Sequence, residues 1–290
     1  MHTLVIKNRK NKELIVKHWA CANAQAILVI AHGAAEHINR YEGLAEYLSR
    51  HGIEVYGYDH EGHGVNKDSN QEYVYIDRKH GSEILVDDLE DVMTFAYEHS
   101  QRIPIYLLGH SMGSLIVRVL MARTHVAVSG VILSGSMNPS YLLKQGGLLL
   151  SSSMKKIQGK RKVNGLLNHM AFGVLHERIS YNQDNIKNYI HDKNCGLPFS
   201  NASIYDLLKL VKLAGDKEVI ANMQKTNYLI LAGQDDVFSE KTKQLKALVK
   251  EFEKNHLKVA YKFYHGMKHE ILQEDDKETV YQDIKDFVLN

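Results

Sequence analysis

Short apolar runs alternate with amphipathic segments along most of this 290-residue chain, and the alternation leaves few folds open. Residues 26–33, AILVIAHG, are a continuous apolar run that ends in glycine, which is typical of a strand buried on both faces. Residues 82–99 instead place apolar side chains, such as Leu85 and Leu89, on one face of a helix. Strands that alternate with helices predict an α/β fold with a mostly parallel central sheet flanked by helices.

The predicted elements also suggest how the chain is divided. Predicted strands occupy residues 3–7, 13–19, 26–33, 53–58, 105–108, 128–133, 228–232 and 258–264, and predicted helices occupy residues 41–50, 82–99, 111–123, 241–254 and 277–288. The first two strands, joined by the polar turn NRKNK, are typical of an antiparallel edge. The alternation breaks at residues 137–205, which are helical and irregular. We therefore predict an α/β core of residues 1–136 and 206–290 and an inserted helical cap, or lid, of residues 137–205.

Composition excludes several classes of protein. Hydrophobic residues make up 44% and charged residues 24% of the chain, which is ordinary for a globular protein. The formal net charge of +2 is too small to indicate nucleic acid as a partner. We find no secretory signal and no window of roughly 18 apolar residues that could span a membrane. The two cysteines, Cys21 and Cys195, are far apart and are expected to be buried rather than bridged, so a cytoplasmic protein is predicted.

The segment Gly109-His110-Ser111-Met112-Gly113 matches G-x-S-x-G and stands between a predicted strand and a predicted helix. A strand that turns directly into a helix strains the residue at the corner, and large side chains at the flanking glycine positions would clash. Such a turn holds the serine hydroxyl out of the sheet, near the positive potential of the helix N-terminus. The alternative is a glycine-rich turn with an incidental serine, but the position between strand and helix favours a nucleophile.

A serine hydroxyl is a weak nucleophile, so it needs a base that a third group orients. Nucleophile turns of this type are followed along the chain by an acid and then by a histidine. Asp235 and Asp236 follow one predicted strand, and His265 and His269 follow the next. We prefer Asp236 because the usual pattern is glycine, two residues and aspartate. We prefer His269 because a loop lets it reach back over the sheet, whereas His265 stands directly at the strand end.

Acyl transfer also needs hydrogen-bond donors for the developing oxyanion. One predicted donor is the backbone N–H of Met112, the residue after Ser111. The second is the backbone N–H of Ala34 in the loop HGAAEH, where Gly33 allows a close approach of the backbone.

Two clusters of histidine and glutamate offer an alternative, because these residues also bind metal ions. They are His32, Glu36 and His37, and His60, Glu61 and His63. The first cluster leaves a strand instead of sharing one helix face, and we expect no metal site in either cluster.

Five motifs span nearly the whole chain: HGAAEHINRY (residues 32–41), YDHEGHG (58–64), GHSMGS (109–114), GQDD (233–236) and GMKHE (266–270). In this order and spacing they resemble the monoacylglycerol lipase and bacterial lysophospholipase branch of the α/β hydrolases. The resemblance implies a helical cap, no cofactor, and the following site: nucleophile Ser111, base His269, acid Asp236, and oxyanion donors Ala34 and Met112. Ser114 stands where a third glycine is common, and the predicted cap is only loosely similar, chiefly around NYIHDKNCGLPF.

The predicted cap carries information about the substrate. Residues 137–205 contain nine Lys and Arg against three Asp and Glu, so this segment is locally +6. An apolar stretch, YLLKQGGLLLSSSM, followed by a basic cluster at residues 155–162, is what an interfacial lid needs. The alternative is a lid packed on the core with a solvated basic edge. An aminopeptidase would need carboxylates here to bind a substrate ammonium group, so a neutral or anionic acyl substrate is favoured.

The sequence thus predicts a serine hydrolase that cleaves carboxylic esters of lipid-like substrates. Its expected partner is a small lipid or ester, and transient peripheral contact with a membrane surface through the cap is a further hypothesis. Two alternatives stay open. One is hydrolysis of small acyl or aryl esters, or of thioesters, by the same three residues. The other is a non-catalytic ligand-binding protein, against which an intact triad argues. Ser111 disfavours dehalogenase and epoxide-hydrolase chemistry, which use an aspartate nucleophile.

Overall fold

A twisted sheet lies at the centre of the protein, in a computed structural model that describes residues 1–67, 71–76, 80–100 and 102–290, with only the backbone at residues 141–143. Its strands are β1 (His2–Lys7), β2 (Glu13–Trp19), β3 (Ala26–Ala31), β4 (Ile53–Tyr58), β5 (Ile105–His110), β6 (Gly130–Ser134), β7 (Asn227–Gly233) and β8 (Lys258–Tyr264). They are ordered β1-β2-β4-β3-β5-β6-β7-β8. The pairs β1–β2 and β2–β4 are antiparallel, and the others are parallel. The predicted α/β fold is confirmed.

Helices cover both faces of this sheet. They are α1 (Glu42–Arg50), α2 (Gly81–His99), α3 (Met112–Met121), α4 (Tyr141–Ile157), α5 (Gly165–Phe172), α6 (Leu175–Ile179), α7 (Gln183–His191), α8 (Asn201–Ala214), α9 (Lys217–Asn222), α10 (Lys243–Lys254) and α11 (Lys277–Leu289). A 3₁₀ turn, Ile38–Tyr41, precedes α1. Across the described part of the chain, every helix is too short or too polar to cross a bilayer.

Strand β3 shows why the sheet is covered on both sides. All six of its residues are buried. Ile27 and Val29 pack into the core on the side of α2 and α3, whereas Leu28 and Ile30 pack into the core on the side of α1 and α11. This division follows from the two-residue repeat of a strand, which sends successive side chains to opposite faces. A continuous apolar run therefore had to lie between two layers of helices.

Most predicted boundaries lie within one residue of the observed ones, and the difference that bears on the site is at the nucleophile turn. β4 and β8 have the predicted bounds. β5 continues to His110 and α3 begins only at Met112, so the helix predicted to start at residue 111 starts one residue later. The reason is the backbone of Ser111, which has φ 50° and ψ −115° and belongs to neither element.

Between β6 and β7 the chain forms α4 to α9, and the predicted cap of residues 137–205 includes α4 to α7 and the start of α8. The side chain of Ser200 accepts a hydrogen bond from the backbone N–H of Ser203 and thereby caps α8. α8 then runs as one helix through residue 205 and packs against α3 and α4. The predicted division of the chain at residues 205 and 206 therefore falls inside a helix, and the division into core and cap stays a prediction.

Candidate active site

Ser111 occupies a sharp turn between β5 and α3. Its positive φ is strained for a residue with a side chain. The neighbouring glycines make this turn sterically possible. A Cβ on Gly109 would lie 2.5 Å from the carbonyl oxygen of Gly113, and a Cβ on Gly113 would overlap the carbonyl oxygen of Ala31. The turn therefore needs glycine on both sides, and it directs Ser111 to the carboxyl edge of the sheet.

Hydrogen bonds from the next strand and the next turn hold this corner in place. The backbone N–H of Ser111 donates to the carbonyl of Ser134 at the end of β6, at 2.9 Å. The hydroxyl of Ser114 donates to the carbonyl of Ser111 at 2.6 Å and lies 2.7 Å from the hydroxyl of Ser136. Ser114 thus adds a hydrogen bond at a position where monoacylglycerol lipases and bacterial lysophospholipases commonly have glycine.

The loops after β7 and β8 bring an acid and a histidine together. His269 Nδ1 lies 3.0 Å from Asp236 Oδ2, and both side chains are buried. The other oxygen of Asp236 accepts the backbone N–H of Phe238 at 2.9 Å. A carboxylate can only accept, so Nδ1 of His269 carries the proton and Nε2 keeps its lone pair. This is the protonation state that a general base requires.

The two residues less favoured by the sequence analysis, Asp235 and His265, lie outside this acid–histidine pair. Asp235 is half-buried, and one of its carboxylate oxygens accepts the hydroxyl of Tyr181 at 3.3 Å. His265 is exposed at the end of β8. The structure therefore pairs Asp236 with His269, which are the two residues preferred from the sequence, and leaves Asp235 and His265 outside this pair.

The pKa of His269 is raised above its usual 6.5. Burial acts to lower it, but the carboxylates of Asp236, Glu270 and Glu36 together outweigh burial. Acidic surroundings therefore favour the imidazolium that forms when the histidine accepts a proton. A histidine that acts as a general base must be unprotonated. Activity is therefore expected to decline as the pH falls through the raised pKa of His269, because the protonated ring cannot accept a proton.

A cavity of about 110 Å³ connects these groups, because Ser111 and His269 both line it. Gly33, Ala34 and Met112 also line this cavity. Apolar side chains from α3, α5, α6, α8 and neighbouring loops form its walls: Leu115, Met137, Ala171, Phe172, Leu175, Ile179, Leu207, Leu208, Val211 and Phe238. A few polar groups on an otherwise apolar wall are typical of a ligand site.

The loop of one predicted oxyanion donor, Ala34, passes close to Ser111, and the other donor, Met112, is the next residue along the chain. A Cβ on Gly33 would lie 3.3 Å from the Cβ of Ser111, so the loop after β3 passes directly beside the serine. The backbone N–H of Gly33 donates to Glu36 Oε1 at 2.6 Å. Within the described residues, the N–H groups of Ala34 and Met112 donate to no other residue. They are therefore free to bind a developing negative charge at this edge.

The histidines of the two clusters considered as metal sites make hydrogen bonds within the protein. His32 lies between the carbonyl of Gly33 and the backbone N–H of His60, at 2.7 and 2.9 Å. Burial lowers the pKa of His60 to about 3 and that of His63 to about 4, so both rings are neutral. His37 lies 2.7 Å from Asp192 Oδ2. Neither of these two clusters brings its three ligand atoms within 4.8 Å of one another.

One other potential ligand group exists among the described residues: His37, Asp192 and Cys195, with ligand atoms within 4.8 Å of one another. The His37–Asp192 hydrogen bond already uses two of these side chains. Burial raises the pKa of the Cys195 thiol, which disfavours the thiolate that metals bind. Both cysteines are free, and Cys195 is buried as expected, whereas Cys21 is partly exposed.

Sequence reasoning missed two groups of residues near the site. Asp59 of the YDHEGHG motif accepts the backbone N–H groups of Ile38 and Val65, both at 2.8 Å, and so ties two loops together. A buried ionic cluster joins Glu36, Arg40 and Glu270. The signal for this second group was present in the motifs HGAAEHINRY and GMKHE, but only the fold brings the two motifs together.

The elbow serine, the paired histidine and acid, and the sheet order define a serine hydrolase of the α/β-hydrolase class. The family model described as "Serine aminopeptidase, S33" matches residues 22–276, and the chain belongs to this family. Relatives in sequence include a "Monoglyceride lipase homolog" of monkeypox virus, 26% identical over 100% of this chain and 99% of that one. The phospholipase YtpA of Bacillus subtilis is 26% identical over 93% of this chain and 97% of that one. The chain is therefore an ester hydrolase, and its sequence is similar to those of a monoglyceride lipase homolog and a phospholipase.

Solved structures share the fold. A thermostable carboxyl esterase from Bacillus coagulans superposes with a TM-score of 0.89 at 21% identity, over 99% of this chain and 97% of that one. A monoglyceride lipase from Saccharomyces cerevisiae gives 0.77 at 20% identity, over 96% and 91% of the two chains. At these identities the likeness concerns the α/β-hydrolase fold alone.

Proposed function

We propose that the protein hydrolyses monoacylglycerols or lysophospholipids, through an acyl-enzyme on Ser111. The observation that carries this proposal is that Ser111 and the Asp236-bonded His269 line one apolar cavity. The viral relative named monoglyceride lipase homolog and the bacterial relative named phospholipase support the substrate class.

In the proposed reaction His269 Nε2 takes the proton of the Ser111 hydroxyl while the serine oxygen attacks the ester carbonyl carbon. The N–H groups of Ala34 and Met112 donate to the oxyanion, and Asp236 stabilises the imidazolium. Collapse of the tetrahedral intermediate transfers the proton from His269 to the departing alcohol and leaves an acyl-serine. Water then attacks the acyl carbon while His269 takes its proton, and collapse of this second intermediate returns the proton to the Ser111 oxygen and releases the fatty acid.

The carboxylates that line the cavity are already paired with an arginine. This pairing argues against an aminopeptidase, although the family's description names one. The carboxylates among its described lining residues are Glu36 and Glu270. Arg40 binds both of them, at 2.8 and 2.6 Å. A substrate ammonium group would have to displace this guanidinium, so an uncharged acyl chain fits the cavity better.

A specific observation favours the second candidate, hydrolysis of small acyl esters. The cavity of about 110 Å³ is smaller than the roughly 300–1,000 Å³ typical of ligand pockets. A long acyl chain therefore requires the helices of the proposed cap, residues 137–205, to move outward.

Rates on p-nitrophenyl esters of increasing acyl length separate these two candidates. For the lipid candidate we expect kcat/KM to rise from acetyl to about octanoyl. Each buried methylene contributes roughly 0.8 kcal/mol, so the rise is up to about fourfold per methylene. A maximum at acetyl or butyryl, followed by a decline, contradicts the lipid substrate and supports the small-ester candidate.

We also propose reversible contact between the cap and an anionic lipid surface. Leu149 and Ile157 on α4 and Leu166 and Met170 on α5 are between 61% and 75% exposed. Lys156, Lys160 and Lys162 are exposed in and between the same two helices. Apolar side chains combined with lysines are the composition of an interfacial helix.

Co-sedimentation with vesicles tests this contact. Each lysine near an anionic surface contributes roughly 1 kcal/mol, so we expect the double variant Lys160→Glu/Lys162→Glu to bind anionic vesicles at least about tenfold more weakly. Lys187→Glu on α7 is the matched control, since Lys187 is exposed but belongs to another helix. Equal binding by the double variant and the control would exclude the proposed surface.

A further inference from the structure

A buried arginine lies behind the candidate active site. Arg40 belongs to the 3₁₀ turn that follows the loop of Ala34, and its side chain is 10% exposed. Its two terminal nitrogens bind Glu270 in a fork, with Nη1–Oε1 at 2.6 Å and Nη2–Oε2 at 2.7 Å. Nη1 also donates to Glu36 Oε2, and Nη2 to Asn185 Oδ1, both at 2.8 Å. One guanidinium therefore joins the loop after β3, the loop after β8 and helix α7.

Glu36 connects this arginine to the oxyanion loop. Its Oε1 accepts the backbone N–H of Gly33 at 2.6 Å and the hydroxyl of Tyr41 at 2.7 Å. Gly33 immediately precedes Ala34, so the bond fixes the peptide that leads into the proposed oxyanion donor. It also uses the N–H of Gly33, whereas the N–H of Ala34 donates to no described residue.

Glu270 connects the arginine to the proposed base, because it follows His269 directly. Its backbone N–H donates to the carbonyl of Ile179 at 2.7 Å, at the end of α6. Its Oε2 accepts the amide of Asn185 at 2.8 Å. Asn185 therefore accepts from Arg40 and donates to Glu270, so this α7 side chain completes the cluster.

The helices of the proposed cap also touch the oxyanion loop itself. The hydroxyl of Tyr189 on α7 donates to the carbonyl of Ala35 at 2.9 Å, and the same carbonyl accepts the backbone N–H of Gly196 at 2.9 Å. The ring of Tyr189 lies 4.9 Å from the guanidinium of Arg40. The position of α7 is thus coupled to both loops that bear reactive groups.

The charges of the cluster act on the base. Burial alone would raise the pKa of Glu270, but Arg40 outweighs burial and holds that pKa at about 2. Burial raises the pKa of Glu36 against the attraction of Arg40. With both carboxylates ionised, the three groups carry one net negative charge. The groups that face His269 are Asp236, Glu270, Glu36 and the neutral ring of His110, and the three carboxylates raise the pKa of His269.

We infer that Glu36, Arg40 and Glu270 are positioning residues. They hold the oxyanion loop and His269 in fixed positions relative to α7, so that the rate of acyl transfer depends on the position of the proposed cap. This inference rests on the proposed function of Ser111 and His269. Misplacement of a reactive group by about 1 Å can cost roughly 100-fold in rate. A purely stabilising ion pair would change the unfolding temperature without changing the chemistry of the folded enzyme.

The test compares Arg40→Gln, Arg40→Lys and Glu270→Gln with Arg50→Gln. Arg50 is the matched control because it also pairs with a glutamate four residues earlier, Glu46, but on the surface of α1. We expect kcat on a short p-nitrophenyl ester to fall about 10- to 100-fold in Arg40→Gln and Glu270→Gln, with KM changed much less. Arg40→Lys should recover only part of the rate, since lysine keeps the charge but not the fork.

The pH profile gives a readout that a structural role would not move. Glu270→Gln removes one of the carboxylates that raise the pKa of His269. We therefore expect the acid limb of kcat/KM to shift to lower pH in Glu270→Gln and to stay in place in Arg50→Gln. An acid limb and a kcat equal to those of Arg50→Gln, in a folded Glu270→Gln protein, would overturn the inference.

Two further measurements keep the outcome interpretable. Asn185→Ala removes the two hydrogen bonds between α7 and the cluster but leaves the ion pairs and the contacts of Tyr189. It replaces the charge variants if they fail to fold. It should lower kcat several-fold, and an unchanged kcat counts against the inference. Labelling of Ser111 by a fluorophosphonate probe separates the two proposals. Wild-type enzyme that does not label contradicts the proposed function, whereas Arg40 variants that label and turn over like wild type contradict only the positioning role.

Discussion

Replacement of Ser111 by alanine is expected to lower kcat for ester hydrolysis by about 10⁶-fold and to abolish labelling by a fluorophosphonate. The acyl-enzyme needs the serine oxygen, and the remaining oxyanion donors and cavity supply only residual acceleration over water. The structure predicts that the variant folds, because alanine keeps the Cβ and needs no more space at this turn. Steady-state rates on a p-nitrophenyl ester and gel-based probe labelling measure both effects.

The control for this experiment is Ser153→Ala, which changes an exposed serine on α4 whose hydroxyl donates to Leu149 within the helix. It should label and turn over like wild type. A Ser111→Ala protein that keeps most of its activity would assign the reaction to another nucleophile. A wild-type protein that neither labels nor hydrolyses any ester would instead support the non-catalytic ligand-binding alternative.

Replacement of Asp236 by asparagine is expected to lower kcat by about 10⁴-fold with little change in KM. The carboxylate accepts the Nδ1 proton of His269 at 3.0 Å and thereby leaves Nε2 free to act as the base. An amide can donate to Nδ1, and this favours the tautomer with its proton on Nε2, which cannot take the serine proton. Initial-rate kinetics across a range of pH measure the loss.

Asp235→Asn is the matched control, since it makes the same chemical change one residue away. Asp235 contacts Tyr181 and not His269, so we expect less than about a threefold effect on kcat. If Asp235→Asn caused the larger loss, the acid would have to be reassigned to the neighbouring aspartate, and the His269–Asp236 hydrogen bond would have only a structural role.

Much of the fold could be predicted from local pattern. β4 and β8 have the predicted bounds because β-branched and aromatic residues make up four of the six residues of β4 and four of the seven of β8. The end of β5 and the start of α3 were less accurate, because Ser111 departs from both elements. That departure depends on contacts with β3 and β6, which are distant in sequence.

The candidate site likewise contains residues that the sequence predicts and residues that it does not. Asp236 and His269 were chosen by their order along the chain and by loop length, and the structure brings these two together. The Arg40 cluster was missed, although its residues stand in two of the quoted motifs. Residues 40 and 270 are separated by 230 positions, and no local pattern reports a pair at that distance.

By itself the sequence determined the class of fold and the residue types at the strand ends. A strand buried on two faces needs a continuous apolar run, and a tight turn needs glycine, so both can be recognised from neighbouring residues alone. Only the tertiary structure decided the distance between imidazole and carboxylate, the small volume left under the inserted helices and the shared guanidinium behind the site. These quantities depend on how distant segments pack, and packing depends on the shapes of all the neighbouring side chains at once.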